Sequence, residues 1–191
     1  MTRPQEEGVL PLRSAMDNGG RLFDAVNIDV GFGDAGIATP DTLRGPDMLG
    51  FAGLPPVEVP TLPLPIHIAE RVHAYTRTYG EGMRPNTRVK DLVDLALITR
   101  TAALDALALR QALDVTFAAR ATHALPAALP PPPPDWTRPY ANLARELGID
   151  PDLVSGYGLV TALLDPLLSA VAVVSARWDP TTHMWIEMEE G

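Results

Sequence analysis

Two groups of residues in this chain have types and spacing suited to chemistry. The first is Asn86-x-Arg88-x-Lys90-Asp91-Leu92-x-Asp94-Leu95, preceded by Ala69-Glu70-Arg71-Val72-His73-Ala74. Arg71, Arg88 and Lys90 suit phosphate oxygens, because arginine offers a planar fork of donors and lysine a compact point charge. Asp94, four residues after Lys90, would orient that ammonium if both lie on one helix. The same spacing is that of a solvated ion-pair face, and spacing alone leaves both readings open. The second group is Asp29, followed by Gly31-Phe32-Gly33-Asp34. A strand carboxylate beside flexible glycines supplies the hard oxygen that Mg²⁺ takes as ligand. An exposed strand face with a turn aspartate has the same sequence, so this group too keeps two readings.

Other reactive residues point to structure. His67, His73, His123 and His183 are scattered without an i, i+4 ligand pair, and His73 reads as a packed helix residue. The literal D-x-D at Asp150 to Asp152 contains Pro151 and reads as a helix cap. No G-x-S-x-G, P-loop or G-x-G-x-x-G is present, so local signatures of hydrolase triads and dinucleotide folds are missing.

The elements that must position these groups are legible from periodicity. Val26, Ile28, Val30 and Phe32 alternate with Asn27, Asp29 and Gly31, which predicts a half-buried strand between Phe23 and Phe32. Residues 1 to 20 read as a loose polar arm, and Val57 to Val59 as a short edge strand ended by Pro60. A helix is expected from Pro65 or Ile66 to Gly80, and a second from the cap Asn86, with Arg88, Lys90, Asp91 and Asp94 on its charged rim. A third is expected over 102 to 121. Five consecutive prolines, 130 to 134, set a polyproline II segment, and Thr137 caps a helix ended by Gly148. Asp150-Pro151 and Asp165-Pro166 predict two more helix starts, and the tail from Arg177, with Trp178 and Trp185, an irregular segment packed on the bundle.

At 191 residues, with 46% hydrophobic and 20% charged residues, the chain can build its own core. Its 15 basic and 24 acidic residues give a net charge of −9, and Lys90 is its single lysine. That balance argues against a general nucleic-acid coat but leaves room for a local arginine pocket. Without cysteine there is no thiolate nucleophile, thiolate metal site or disulfide. No apolar run reaches the ~18 residues of a membrane span, and no leader is visible, so a cytoplasmic location is expected.

Taken in order and spacing, Asn27-Ile28-Asp29-Val30-Gly31-Phe32-Gly33-Asp34 and the two helical motifs resemble the AbiEii/AbiGii nucleotidyltransferase toxins. That family belongs to the polymerase β-like nucleotidyltransferases and supplies toxins of type IV toxin-antitoxin and phage-defence pairs. The resemblance runs from about Gly20 to Pro180. It implies transfer of a nucleotide from an NTP to an RNA end, such as that of tRNA, with Mg²⁺. By resemblance, Asp29 matches a metal-assisting carboxylate, Lys90 and Asp94 a catalytic basic-acidic pair, and Arg71 a lysine that contacts the incoming triphosphate. Arg88 joins Arg71 and Lys90 in the implied phosphate-binding set.

The family's Gly-Ser turn and D-x-D are expected tens of residues ahead of the Asp29 strand, yet Ser14 follows Arg13 and Asp17 has no partner two residues away. The fold expected is therefore α+β: an arm and a small or truncated nucleotidyltransferase sheet over 1 to 64, then a helical domain over 65 to 191 with an aromatic tail. The competing function is a catalytically impaired relative that acts as a protein-binding module, docking an antitoxin or a second chain. A third possibility is a helical domain unrelated to nucleotides. A partner or a homodimer is expected to cover the edge of the Asn27 to Phe32 strand.

Overall fold

A computed structural model describes residues 9–17, 22–31, 39–77, 88–169 and 175–188. The chain has two compact units, residues 1–37 and 38–191, and is mixed α+β.

In the first unit, strand β1 (Val9–Asp17) pairs antiparallel with β2 (Leu22–Gly31), from Val9 opposite Gly31 to Asp17 opposite Leu22, with an irregularity between Met16 and Asp17. The expected strand is thus present. The expected loose arm is not, because residues 9 to 17 form a full partner strand. Ladder bonds outweigh the local polarity that suggested a coil.

The second unit opens with a hairpin of β3 (Asp41–Arg44) and β4 (Glu58–Thr61), which pair antiparallel. Five helices follow among the described residues. Helices α1 (Leu64–Thr76) and α2 (Val89–Thr101) pack on each other, α1 also packs on α3 (Ala106–Arg120), and α2 packs on α4 (Thr137–Glu146) and α5 (Leu153–Leu168). Ile68, Val72, Leu92, Leu95, Leu109, Leu113, Leu163 and Leu164 are fully buried and form the core. Each fully buried Leu or Ile contributes about 1.5–3 kcal/mol relative to exposure.

Local chemistry sets the helix ends. Pro65 stands in the first turn of α1, as expected. Asp105 accepts the Ala108 N–H at 2.7 Å and starts α3. Asp152 accepts the Ser155 N–H at 2.8 Å and starts α5, which bears out the cap reading of the D-x-D. Gly148 follows α4 at φ 68°, the left-handed position that favours glycine. Asn86, Gly80 and Gly82, expected as helix punctuation, lie outside the described residues.

Two expectations need correction here. Asp165 does not start a further helix: α5 runs through it, with Pro166 in the final turn where few ladder bonds remain to be lost. The Asp165 carboxylate instead accepts the N–H of Leu129 at 2.9 Å. The tail is not irregular. Strands β5 (Leu104–Asp105), β6 (Ala176–Asp179) and β7 (Met184–Glu187) form a three-stranded sheet in that order. Its aromatics do pack back as expected: Trp178, fully buried, donates its indole N–H to the Thr99 carbonyl at 2.8 Å, and Trp185 donates to Leu163 at 3.0 Å.

The proline run is held at its entrance. Tyr75 donates to the Pro130 carbonyl at 2.8 Å and Tyr157 to the Leu129 carbonyl at 2.7 Å. Pro133, at φ −58° and ψ 141°, is polyproline II, and a 3-10 turn at Pro134–Trp136 then delivers α4. Among the described residues, no helix is long and apolar enough to cross a membrane.

Candidate functional site

The sequence motifs meet where α1 crosses α2. Arg71 on α1 sends its guanidinium to three partners. NH1 lies 2.8 Å from Asp91 Oδ1, NH2 lies 3.3 Å from Asp94 Oδ2, and Nε donates to His67 Nε2 at 3.1 Å. Asp91 and Asp94 present both carboxylates to one guanidinium because residues three apart share a helix face. His67 stands four residues before Arg71, on the same face of α1.

Burial ranks these contacts. Asp91 is 2% exposed, whereas Arg71 and Asp94 are each 36% exposed at the side chain. Asp91 is therefore withdrawn from water while Arg71 is only partly so, and removing Arg71 would leave a buried carboxylate without its close counter-charge, whereas Arg71 without Asp91 keeps Asp94. Asp91 Oδ2 is buried without a hydrogen bond, with Arg88 NH1 4.0 Å away.

The structure thus brings together Arg71, Asp94 and Arg88 of the residues expected at the site. Asp94 does not orient Lys90; its ion pair is with Arg71. The i, i+4 spacing of Lys90 and Asp94 is real, but the guanidinium arriving from α1 takes the carboxylate. Lys90 is exposed in the first turn of α2 and forms no ion pair among the described residues. Asp29 occupies β2 opposite Pro11, in the other unit, and Asp34 lies outside the described residues.

Asp91 was expected on the charged rim and is instead buried. No role was expected for it or for His67. The signal for Asp91 was its place between Leu92 and Lys90, three residues ahead of Asp94. For His67 it was the i, i+4 step to Arg71, which matters only once the guanidinium is known to face inward.

Beside this junction, Glu70 on α1 pairs with Arg120 on α3 at 3.0 Å. His73, 4% exposed, is packed as expected: its Nε2 lies 2.7 Å from Thr122 Oγ1, and its ring meets Phe117 edge-on. The histidines are less scattered than their spacing suggests, since His73 and His123 stand with ring centroids 4.7 Å apart. Burial, and then their mutual repulsion, lowers the pKa of His73, and burial lowers that of His123.

Metal ligation was tested on the donor set. Among the described residues no three His, Asp or Glu side chains gather as metal ligands. The Asp91 and Asp94 oxygens Oδ1 and Oδ2, respectively, are already directed at Arg71.

The family described as nucleotidyl transferase AbiEii toxin, type IV TA system, matches residues 3–168, and the chain belongs to it. Membership makes it a nucleotidyltransferase-family toxin of a toxin-antitoxin system, with a nucleotide and an antitoxin as implied partners. Among curated proteins no match is found.

Proposed function

We propose that this chain transfers a nucleotide from a nucleoside triphosphate to an RNA end, with tRNA as the acceptor class, and acts as a cytoplasmic toxin. The observation that carries the reading is the first turn of α2. Arg88 and Lys90 stand there, at the end of the helix where the macrodipole already concentrates positive charge. Cations at that end repel the dipole, and a bound anion would offset that repulsion through the Arg88 and Lys90 side chains. A triphosphate is such an anion.

Arg71 has a different part in this reading from the phosphate contact expected of it. Its three nitrogens already serve His67, Asp91 and Asp94. Each terminal nitrogen keeps one further N–H, so Arg71 adds to a phosphate site while holding α1 against α2. Asp94 fixes Arg71, and through it the face that carries Lys90. By family resemblance alone, Asp29 of the first unit is proposed as a Mg²⁺ ligand, for which its carboxylate supplies a hard oxygen donor.

The test is calorimetric titration of ATP, GTP, CTP and UTP against the full chain and against the Arg88→Ala, Lys90→Ala pair. Loss of two charge-assisted contacts should weaken binding about tenfold or more. Equal affinity in both proteins would remove the site. Incubation with labelled NTP and a tRNA pool then tests transfer.

A second reading follows from the chemistry of two-metal transfer, which needs several carboxylates around the phosphates, whereas Asp91 and Asp94 are committed to Arg71. In that reading the chain binds NTP and labels tRNA only when a partner protein, or a second chain, supplies the further carboxylates. Binding without transfer by the isolated chain, with transfer restored by the partner, would select it.

A further inference from the structure

Outside the Arg71 junction, His73, Thr122, His123 and Thr76 form one hydrogen-bonded line between the end of α1 and the segment that follows α3. The direction of each bond in it can be worked out from one end. The Thr76 hydroxyl lies 2.9 Å from the Val72 carbonyl and 3.3 Å from the His73 carbonyl. A carbonyl can only accept, so the single hydroxyl proton of Thr76 is spent there. His123 Nε2, 2.8 Å from Thr76 Oγ1, therefore carries a proton and donates it. Burial first, and then the Arg77 charge, lowers the His123 pKa, so the ring is neutral at neutral pH and its other nitrogen, Nδ1, holds a lone pair. Thr122 Oγ1 lies 2.9 Å from that nitrogen and donates to it. With the Thr122 proton so committed, His73 Nε2 donates to Thr122 Oγ1 at 2.7 Å.

These directions are those of an activated hydroxyl: a nucleophile, a base within hydrogen-bond reach of its proton, and a third group that fixes the base. Thr122 Oγ1 is the nucleophile and His123 Nδ1 the base, while Thr76 holds the imidazole through Nε2. The His73 N–H meets the oxygen on which negative charge develops as the proton leaves. Two observations separate this line from a latch at the end of a helix. Thr122 is exposed, whereas a hydrogen bond that only ties elements together is stronger when dry. A hydroxyl oxygen also has two lone pairs, of which His73 takes one and leaves the other for an electrophile.

We propose that Thr122 is an acyl-acceptor site, whose Oγ1 takes the acyl group of an activated carboxylic ester with His123 as general base. Oγ1 attacks the acyl carbon and the Oγ1–C bond forms. The bond from that carbon to the leaving oxygen breaks, and the leaving group departs with the electron pair as an oxyanion. The Thr122 proton passes to His123 Nδ1, and the imidazolium returns it to water. The chemistry of the site sets the donor class. Both groups bonded to Thr122 are imidazoles with pKa values lowered by burial, and a neutral imidazole is a poor acid toward a departing oxygen. The donor must therefore carry a leaving group that is stable as an anion.

The chain has no cysteine, so no thiol competes for the acyl group. The test mixes the full chain with p-nitrophenyl acetate, follows nitrophenolate release, and locates the acetyl group by mass spectrometry of peptides. A burst approaching one equivalent is expected, with the acetyl group on Thr122. Thr122→Ala should lose the burst and Thr122→Ser should keep it. His123→Asn sets an amide oxygen near the place of Nδ1 but offers no basic nitrogen, and it should slow acylation about a hundredfold, the scale of general-base catalysis. Thr122 is exposed, so its two variants keep the fold, as circular dichroism would check, and their comparison decides the matter even where His123→Asn does not fold. The proposal is overturned by a wild type without a burst, by an acetyl group found only on other residues, or by an equal burst in Thr122→Ala. A folded His123→Asn that reacts as fast as wild type would overturn it as well.

Discussion

Arg71 and Asp91 lie twenty residues apart in sequence and 2.8 Å apart in space, one half-buried and the other 2% exposed. Asp94 completes the clasp at 3.3 Å. The two carboxylates look interchangeable in sequence, but their burial makes them unequal.

Asp91→Ala should therefore destabilise the fold by about 3 kcal/mol, because it leaves Arg71 facing a vacated, dry position. Asp94→Ala should cost less than about 1 kcal/mol, since its contact is longer and open to water. Urea unfolding of both variants measures the difference. Equal costs would mean that Asp91 is hydrated in solution.

The crossing of α4 and α5 depends on a missing side chain. A Cβ on Gly156 would run into the hydroxyl and ring of Tyr140, which is fully buried, whereas a Cβ on Gly158 would meet nothing. Gly156→Ala should lower stability by about 1–3 kcal/mol through overpacking. Gly158→Ala should raise it by about 0.5–1 kcal/mol, the helix-propensity gain of alanine over glycine. Thermal unfolding of the two variants should shift in opposite directions, and a shared direction would refute the packing argument.

The paired histidines impose a pH dependence. His73 and His123 both have pKa values below the ordinary 6.5 in the fold, by burial first. Arg120 and Arg77 also oppose protonation of His73, and Arg77 that of His123, while Glu70 favours protonation of His73. As pH falls through about 6.5 the unfolded chain takes up protons before the folded one does, so stability drops. The loss continues until the folded values are passed and then levels off. Urea midpoints at pH 7.5 and 5.5 should differ, and His73→Gln should narrow that difference. An unchanged slope in the variant would show that the pair is not the cause.

How much of this was legible in sequence follows from where the determining forces act. The alternation of Val26, Ile28 and Val30 announced β2, and the stripes of α1 and α2 announced those helices, because burial of one face is written locally. β1 was obscured by Pro11, Arg13, Ser14 and Asp17, which are poor strand formers paired by a neighbouring segment. The single helix α5 was obscured by Pro166, whose cost near a helix end is small. Asp91 was misplaced for a deeper reason. A carboxylate is buried only beside its counter-charge, and Arg71 sits on another helix.

Among the described residues Trp178 is the largest fully buried side chain, and it comes after α1 to α5 in the order of synthesis. The Thr99 carbonyl at the end of α2 can receive its indole donor only once residue 178 has been synthesised. That donor closes on the helix that bears Arg88 and Lys90. A message broken before codon 176 would yield a polypeptide with both motifs but without the closing strands. Such a polypeptide would lack both indole hydrogen bonds, Trp178 to Thr99 and Trp185 to Leu163, that tie the closing strands to α2 and α5.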